Sequence, residues 1–507
     1  MSRVVNPAAP VLGQPVVARR LRQTGRLAVI GAVVEGDSWT ARATFTPVLP
    51  GRGVRLQRET GTGWLTVASG IENGKGTARI DSPACPAGTV RYRAVAVAYQ
   101  GVRRFATKAR DVVSIARLPR ITIVTDDGEP ILDDVEYSHA SVAIRPRGSG
   151  LQAYAGTAKL RVRGNSTSWV RMKLPYKMKL DEGASILGMP SAKSWVLLAN
   201  FYDRSMLRND VGFEVSRRLG MPWTPRMTPV ELWLNGHFQG LYQLGESIEV
   251  DADRVDIADD GSEYLLEGDT WPDPDTPAFR TGHGLQLFVK EPEDLDEASI
   301  AAIEAEVQAF EDALYSEQFT DPEAGYRPHI DVATFIDWYL TNEIMKTLEA
   351  AYLNSCWMFQ DDGALHMGPV WDLDQAAGNR TTWGADDPTG WYLRLPGVGS
   401  QITGPEGHWL IRMFEDPWFV EQVRLRWAEV RTSVLALPDY VAAEGADIAG
   451  AAARNFAPEE QGGAGMPIDA TFLEGPDHLF QGSWGAERDY LAGWLATRLA
   501  WIDQQLS

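Results

Sequence analysis

The sequence predicts an α+β protein: an all-β sandwich, then a larger domain that begins as sheet and ends as helices. Three observations carry this. From residue 17 to 115, short alternating apolar and polar runs are separated by Gly, Pro and Asn turns. From 121 to about 250, strands continue around a single helix. From about 297, apolar residues recur at three- and four-residue spacing. A chain of 507 residues exceeds one compact core. The boundary falls in "SIARLPR", which gives domains 1–117 and 118–507. The second domain divides into a β-rich part, about 118–250, and a mainly helical part, about 251–507.

In the first domain "SWTARATFTPV" alternates, "GVRLQRETGTGWLTVAS" reads as a hairpin with a Gly-Thr-Gly tip, and "VRYRAVAVAYQGV" alternates from Val90 to Tyr99. Strands spaced in this way resemble an immunoglobulin-like or fibronectin-like module, a fold that serves many functions. In the second domain, Trp195 to Ala199 reads as a buried strand. A helix capped near Asp203 or Ser205 follows, its apolar stripe Leu207, Val211, Val215 and Leu219, stopped by Gly220 and Pro222. "PVELWLNG" and "GLYQLGES" pair across an Asn-Gly turn. "EASIAAIEAEVQAFEDALYS" and "DVATFIDWYLTNEIMKTLEAAYL" are helical, "CWMFQDDGALHMGPVWDLD" is a hairpin turning at Asp361 to Gly363, and two more helices close the chain. Trp169, Trp195, Trp233, Trp357 and Trp371 read as core, and Trp383 and Trp391 as candidates to stack on an adenine or a sugar.

Composition excludes several classes. With 68 acidic against 48 basic residues, the formal charge of −20 disfavours nucleic acid as a partner. The apolar run Leu27 to Val34 is too short to span a bilayer, and the first residues lack a signal-peptide pattern. Cys85 and Cys356 have no neighbours at metal-ligand spacing, and the histidines, His366 included, have none either.

Against this acidic background, Lys159 to Leu180 carries seven basic residues and no acidic one: Lys159, Arg161, Arg163, Arg171, Lys173, Lys177 and Lys179. They alternate with Leu160, Val162, Met172, Leu174, Tyr176, Met178 and Leu180, so period two sets cations on one face and predicts an anion site for phosphate. Its complement is "GPVWDLDQAAGN", where Asp372 and Asp374 end an apolar run. Aspartates one residue apart point to opposite faces unless the backbone turns, and "QAAGN" supplies a turn. Two carboxylates about 4 Å apart repel by roughly 4 kcal/mol at a surface-like dielectric. A hard divalent cation, Mg²⁺ or Mn²⁺, offsets that. In "EAAYLN", Glu349 precedes Asn354 by five residues, and the aspartate Asp372 follows a hairpin. Protein kinases place a catalytic acid, a metal-binding Asn and a metal-binding Asp in that order.

"LRVRGNSTSWVRMKLPYKMKL", "SWVLLANFYDRSMLRNDVGFEVSRRLGMPWTP", "VELWLNGHFQGLYQLGE" and "MGPVWDLDQAAGN" together resemble the spore-coat protein H (CotH) kinase family, over roughly residues 120 to 500. The resemblance implies an atypical, two-lobe protein-kinase-like fold. It implies ATP with Mg²⁺ or Mn²⁺, Ser or Thr acceptors on a protein partner, and a secreted, cell-surface or virion setting. The family's metal aspartate corresponds to Asp372, with Asp374 as its companion and Asn354 completing or orienting the shell. Where relatives usually have a catalytic Asp this chain has Glu349, one methylene longer. Lys177 or Lys179 is expected on the phosphates, with Glu214 steadying that lysine and Arg163 or Arg208 as a second cation. The competing reading is a weakly active or inactive scaffold whose sandwich contacts a surface or particle partner. A glycosidase needs carboxyl groups about 5 to 9.5 Å apart across a sugar, which adjacent aspartates fit poorly.

Overall fold

The computed structural model describes residues 22–507 except 30–31, 35–37, 62, 84, 86–87, 116–117, 147–150, 165–167, 169–170, 272, 274–275, 351–353, 396–408 and 470–476. Trp169 and part of the "SIARLPR" linker lie outside the described residues. Two compact units form, Met1–Arg117 and Leu118–Ser507.

The first unit holds β1 (Thr24–Ala28), β2 (Ala32–Val34), β3 (Trp39–Thr46), β4 (Gly53–Thr60), β5 (Gly63–Ile71), β6 (Thr77–Ser82), β7 (Gly88–Ala96), β8 (Phe105–Ala106) and β9 (Arg110–Ile115). They make two sheets, β1-β3-β6 and β2-β9-β7-β4-β5, with β8 paired to β7. Strict alternation buries Trp39, Ala41, Ala43 and Phe45 of β3 and exposes the residues between them. That face shares one apolar core with Leu56, Tyr92, Ala94 and Val112 of the other sheet, which makes the unit a β-sandwich.

The second unit begins with β10 (Arg120–Thr125), β11 (Ser138–Arg145), β12 (Tyr154–Val162), β13 (Tyr176–Ala184) and β14 (Ala192–Leu198). Helix α1 (Arg208–Leu219) intervenes before β15 (Met227–Leu234) and β16 (His237–Glu246). These strands close into a barrel of order β10-β11-β12-β13-β14-β16-β15, sealed by parallel pairing of β10 with β15. Inward residues such as Ile121, Val142, Leu160, Met178, Trp195 and Leu232 fill it. Asn235 (φ 49°) and Gly236 (φ 83°) form the two-residue turn between β15 and β16. The buried carboxylate of Asp203 accepts from the N–H groups of Leu207 (2.9 Å) and Arg208 (2.8 Å) and so starts α1. Left-handed Gly220 ends it.

A second sheet follows, of order β18-β19-β17-β20-β21, from β17 (Tyr264–Gly268), β18 (Ala278–Arg280), β19 (Gln286–Glu291), β20 (Cys356–Asp361) and β21 (Ala364–Met367). Between β19 and β20 run α2 (Glu297–Tyr315) and α3 (Val332–Met345). After β21 come α4 (Trp409–Met413), α5 (Pro417–Val434), α6 (Leu437–Phe456) and α7 (Trp484–Leu506). Helix α3 is buried on nearly every face. It stops at Lys346, sooner than its periodicity predicts. Lys346 turns left-handed (φ 46°), and its ammonium donates to the carbonyls of Gly384 (3.3 Å), Asp387 (2.7 Å) and Thr389 (2.7 Å). Glu349 therefore leaves the helix for irregular chain. Among the described residues no helix is long and apolar enough to cross a membrane.

Candidate functional site

A cleft of about 550 Å³ opens between the barrel and the second sheet of the second unit. One wall is cationic. Strands β12 and β13 pair Lys159 with Lys179 and Arg161 with Lys177, and Arg161, Arg163 and Lys177 line the cleft. The guanidinium of Arg163 lies 5.3 Å from the Trp371 ring. Burial lowers its pKa, while Asp372, Glu267 and Asp374 oppose that effect. Burial also lowers the pKa of Lys177, against the pull of Glu249.

The opposite wall is acidic. Asp372 adopts a left-handed backbone (φ 53°), so the chain does turn between the two aspartates, and both Asp372 and Asp374 face the cleft. Gly212 of α1 makes room for that turn, because a Cβ there would meet Leu373 Cδ1 at 2.2 Å. Asn209 Oδ1 accepts from the Leu373 N–H at 2.8 Å and fixes the same segment. Ser355 donates its hydroxyl to Asp372 Oδ2 at 2.8 Å. Burial first, then the charge of Asp372, lifts Asp374 well above the usual carboxylate range. Burial pushes Glu349 up to about 7; the amide of Asn354 (2.7 Å) pulls it down, and Asp372 and Asp269 push it up.

Residues that sequence reasoning missed complete this wall. Glu267 and Asp269 line the cleft with Asp273 and Lys290. Burial raises Glu267 to about 7 and Asp269 to about 6, and Asp372 adds to both. Lys290 sits 3.5 Å from Glu267 and 3.7 Å from Asp273. A usable signal existed: "LLEGD" ends an apolar run in two acids one residue apart, just as "VWDLD" does.

Several expectations need correction. Lys179 is exposed, further along β13 and outside the cleft lining. Arg208 is fully buried away from the cleft, with Nη1 on Asp203 at 2.6 Å and Nε on the Ala376 carbonyl at 3.0 Å, so it clamps the loop that follows Asp374. Glu214 pairs with Arg217 (3.1 Å) and Arg218 (2.8 Å) on its own helix and steadies no phosphate-facing lysine. Asn354 lines the cleft with Asp372 and Asp374, where its Oδ1 accepts from Thr270 and its amide nitrogen donates to Glu349 at 2.7 Å. Trp383 and Trp391 lie outside the cleft lining, which has Trp271, Trp357 and Trp371 instead. Trp391 packs on Trp501 (4.8 Å) and Arg394 (3.4 Å). Trp233 is half-buried on the barrel's outside, where Arg120 covers it at 4.2 Å.

The family model for CotH kinase protein matches residues 160–502. The chain belongs to the CotH kinase family. The match spans both walls of the cleft, from Arg161 to Asp374. A search of curated proteins gave no match. CotH kinase membership implies kinase-like chemistry and, with it, a nucleotide and a divalent metal. The donor set fits a hard cation. Asp372 and Asp374 offer carboxylate oxygens to the cleft, and among the described residues no group of three or more His, Cys, Asp or Glu is placed to hold a metal ion by itself. Mg²⁺ uses one or two carboxylates in this way and takes its remaining ligands from phosphate and water.

Proposed function

We propose that this CotH-family chain transfers the γ-phosphate of ATP to a serine or threonine hydroxyl of a protein partner, with Mg²⁺ or Mn²⁺ held by Asp372 and Asp374. The two-lobe kinase-like arrangement is part of this reading, with the barrel above the cleft and the sheet-and-helix region below it. One observation carries it: Arg163 and Lys177 meet Asp372, Asp374 and Glu349 in a single cleft. Separate strands and turns, far apart in sequence, deliver cations for phosphate and carboxylates for metal to one place.

Arg163 and Lys177 bind and orient phosphate oxygens, while Ser355 holds Asp372 in its rotamer. The bound metal supplies neutralisation of charge on the phosphates. Glu349 accepts the acceptor hydroxyl's proton as the acceptor oxygen bonds to the γ-phosphorus and the bond to the β–γ bridging oxygen breaks. A pKa of about 7 suits that role near neutral pH. Phosphoryl transfer rests mostly on positioning and charge stabilisation, so a glutamate suffices if its carboxylate is held in place. The β-sandwich, a separate unit, serves a surface or particle partner.

Incubation with γ-labelled ATP and Mn²⁺ tests the reading. Label on the chain itself or on a Ser/Thr-rich peptide, lost in Asp372→Asn, is the expected result. No label, with no metal-dependent thermal shift from ATP, favours the scaffold reading, which the glutamate at 349 supports.

A further inference from the structure

We propose that Thr270 is a positioning residue for Glu349, acting through Asn354; the inference rests on the catalytic reading of Glu349 above. It starts from strand register. β17 and β20 run antiparallel with Gly268 opposite Cys356. Two residues further, that register sets Thr270 opposite Asn354, where the backbone ladder has ended. Side-chain hydrogen bonds take over at this point: Asn354 Oδ1 accepts from the Thr270 N–H at 3.2 Å and from its Oγ1 at 2.6 Å.

The backbone N–H of Thr270 can only donate, so it fixes Asn354 Oδ1 as the acceptor. The amide nitrogen must then point the other way, and there it donates to Glu349 Oε2 at 2.7 Å. A flipped amide would set NH₂ against N–H at Thr270 and oxygen against carboxylate at Glu349, two repulsive contacts. Thr270 thus determines which end of Asn354 faces Glu349. Its own place is fixed by Asp269, whose Oδ1 accepts from the Trp271 N–H at 2.8 Å. A glutamate has one more rotatable bond than an aspartate, and a displacement of about 1 Å can lower a rate about a hundredfold. A tether on Oε2 removes that freedom and leaves Oε1 without a side-chain hydrogen bond among the described residues.

The test uses the full chain, Mn²⁺-ATP and the acceptor peptide. Thr270→Val keeps the shape and the backbone N–H, and with it the orientation of the Asn354 amide, but removes the shorter of the two hydrogen bonds that hold Asn354 Oδ1 in place; with Asn354 held less tightly, kcat is expected to fall about tenfold with the KM for ATP within twofold. Thr270→Ser restores most of that kcat, and both variants keep the native melting temperature because Thr270 is exposed. In a Glu349→Asp background, whose shorter carboxylate withdraws from Asn354, Thr270→Val adds no further loss. Independently of turnover, amide hydrogen exchange at Thr270 is slow in the native chain and speeds up in Asn354→Leu. Native transfer that Thr270→Val leaves within twofold overturns the relay alone, as does a Thr270→Ser no better than Thr270→Val. A native chain with neither transfer nor metal-dependent ATP binding overturns the relay together with the function it rests on.

Discussion

The two walls of the cleft obey different construction rules. The cationic wall is mostly regular sheet, where β12 and β13 place Lys159 opposite Lys179 and Arg161 opposite Lys177, with Arg163 one residue past the end of β12. Like charges directly across a ladder destabilise it unless something takes them up. Tyr137 does so for Lys159 and Arg161, each 5.1 Å from its ring. Lys177 has no ion pair or ring contact among the described residues and is turned into the cleft. In the acidic wall, by contrast, Glu267 lies in β17 but Asp269, Glu349, Asp372 and Asp374 hang on irregular backbone. Lys346, Ser355, Asp372 and Ala377 all have φ between 46° and 56°. Left-handed backbone at residues other than glycine is strained and clusters where geometry serves function. A repeated spacing can build a charged face, whereas bringing several carboxylates together needs turns that tertiary contacts hold in place.

Asp372→Asn strikes the acidic wall alone and carries the largest expected effect. Asparagine tolerates the left-handed backbone that alanine would strain, and its Oδ1 can still accept from Ser355. Transfer is expected to fall on the order of 10³-fold, as when a preorganised charge-stabilising group is removed. The metal-free melting temperature is expected to stay at or above the native value, because Asp372 pushes up the pKa of Glu267, Asp269, Glu349 and Asp374 alike. Lost activity together with a large drop in stability would make the aspartate a structural turn residue.

Arg208→Met probes what holds the acidic wall. It leaves Asp203 charged and unpaired in the interior and is expected to destabilise by about 3 to 5 kcal/mol in urea unfolding. Transfer should also fall, since Arg208 grips the carbonyls of Ala376 (3.0 Å) and Ala377 (3.4 Å) just beyond Asp374. A smaller effect separates two lysines on one strand. Lys177→Met is expected to raise the KM for ATP about tenfold, the worth of a charge-assisted hydrogen bond. Lys179→Met should leave it within twofold. Equal effects would mean that the cationic wall acts as a diffuse field and not through Lys177.

Period two made the cationic wall legible as sequence, since alternation assigns each side chain a face. It did not reveal that β12 ends at Val162 and β13 starts at Tyr176, so that Lys173 leaves the ladder. That lysine is buried instead, bonded to the Leu241 carbonyl at 2.5 Å and to Asn455 at 3.0 Å. Asp372 and Asp374 were legible because a carboxylate pair at the end of an apolar run needs a reason. Glu267 and Asp269 carry the same mark but stand in a segment whose acidity and prolines read as a connector. Barrel closure was hidden as well, because the parallel contact of β10 with β15 joins residues over 100 positions apart. Arg208 and Glu214 were misassigned because a helical stripe marks the apolar face but not the partner of each charged side chain: Arg208 is buried on Asp203, and Glu214 pairs within its own helix.

A raised carboxyl pKa is not by itself the mark of a site, and Glu444 offers the control. On α6, burial first and then Asp210, Asp447 and Glu214 push Glu444 up to about 7 from an ordinary 4.5. The same value holds for Glu349, yet Glu444 is outside the cleft lining. The folded chain therefore binds a proton here more tightly than the unfolded chain does. The associated stability is full below about 4.5 and is lost as pH rises through about 7. Glu444→Gln removes this dependence. Because the residue is half-exposed, solvent screening limits the gain at pH 8 to about 1 kcal/mol. Urea unfolding at pH 5 and pH 8 measures it, and phosphate transfer should be unchanged. A loss of transfer in Glu444→Gln would mean that the acidic wall extends through α1 to α6, and the contrast drawn between the two walls would have to include the helices behind them.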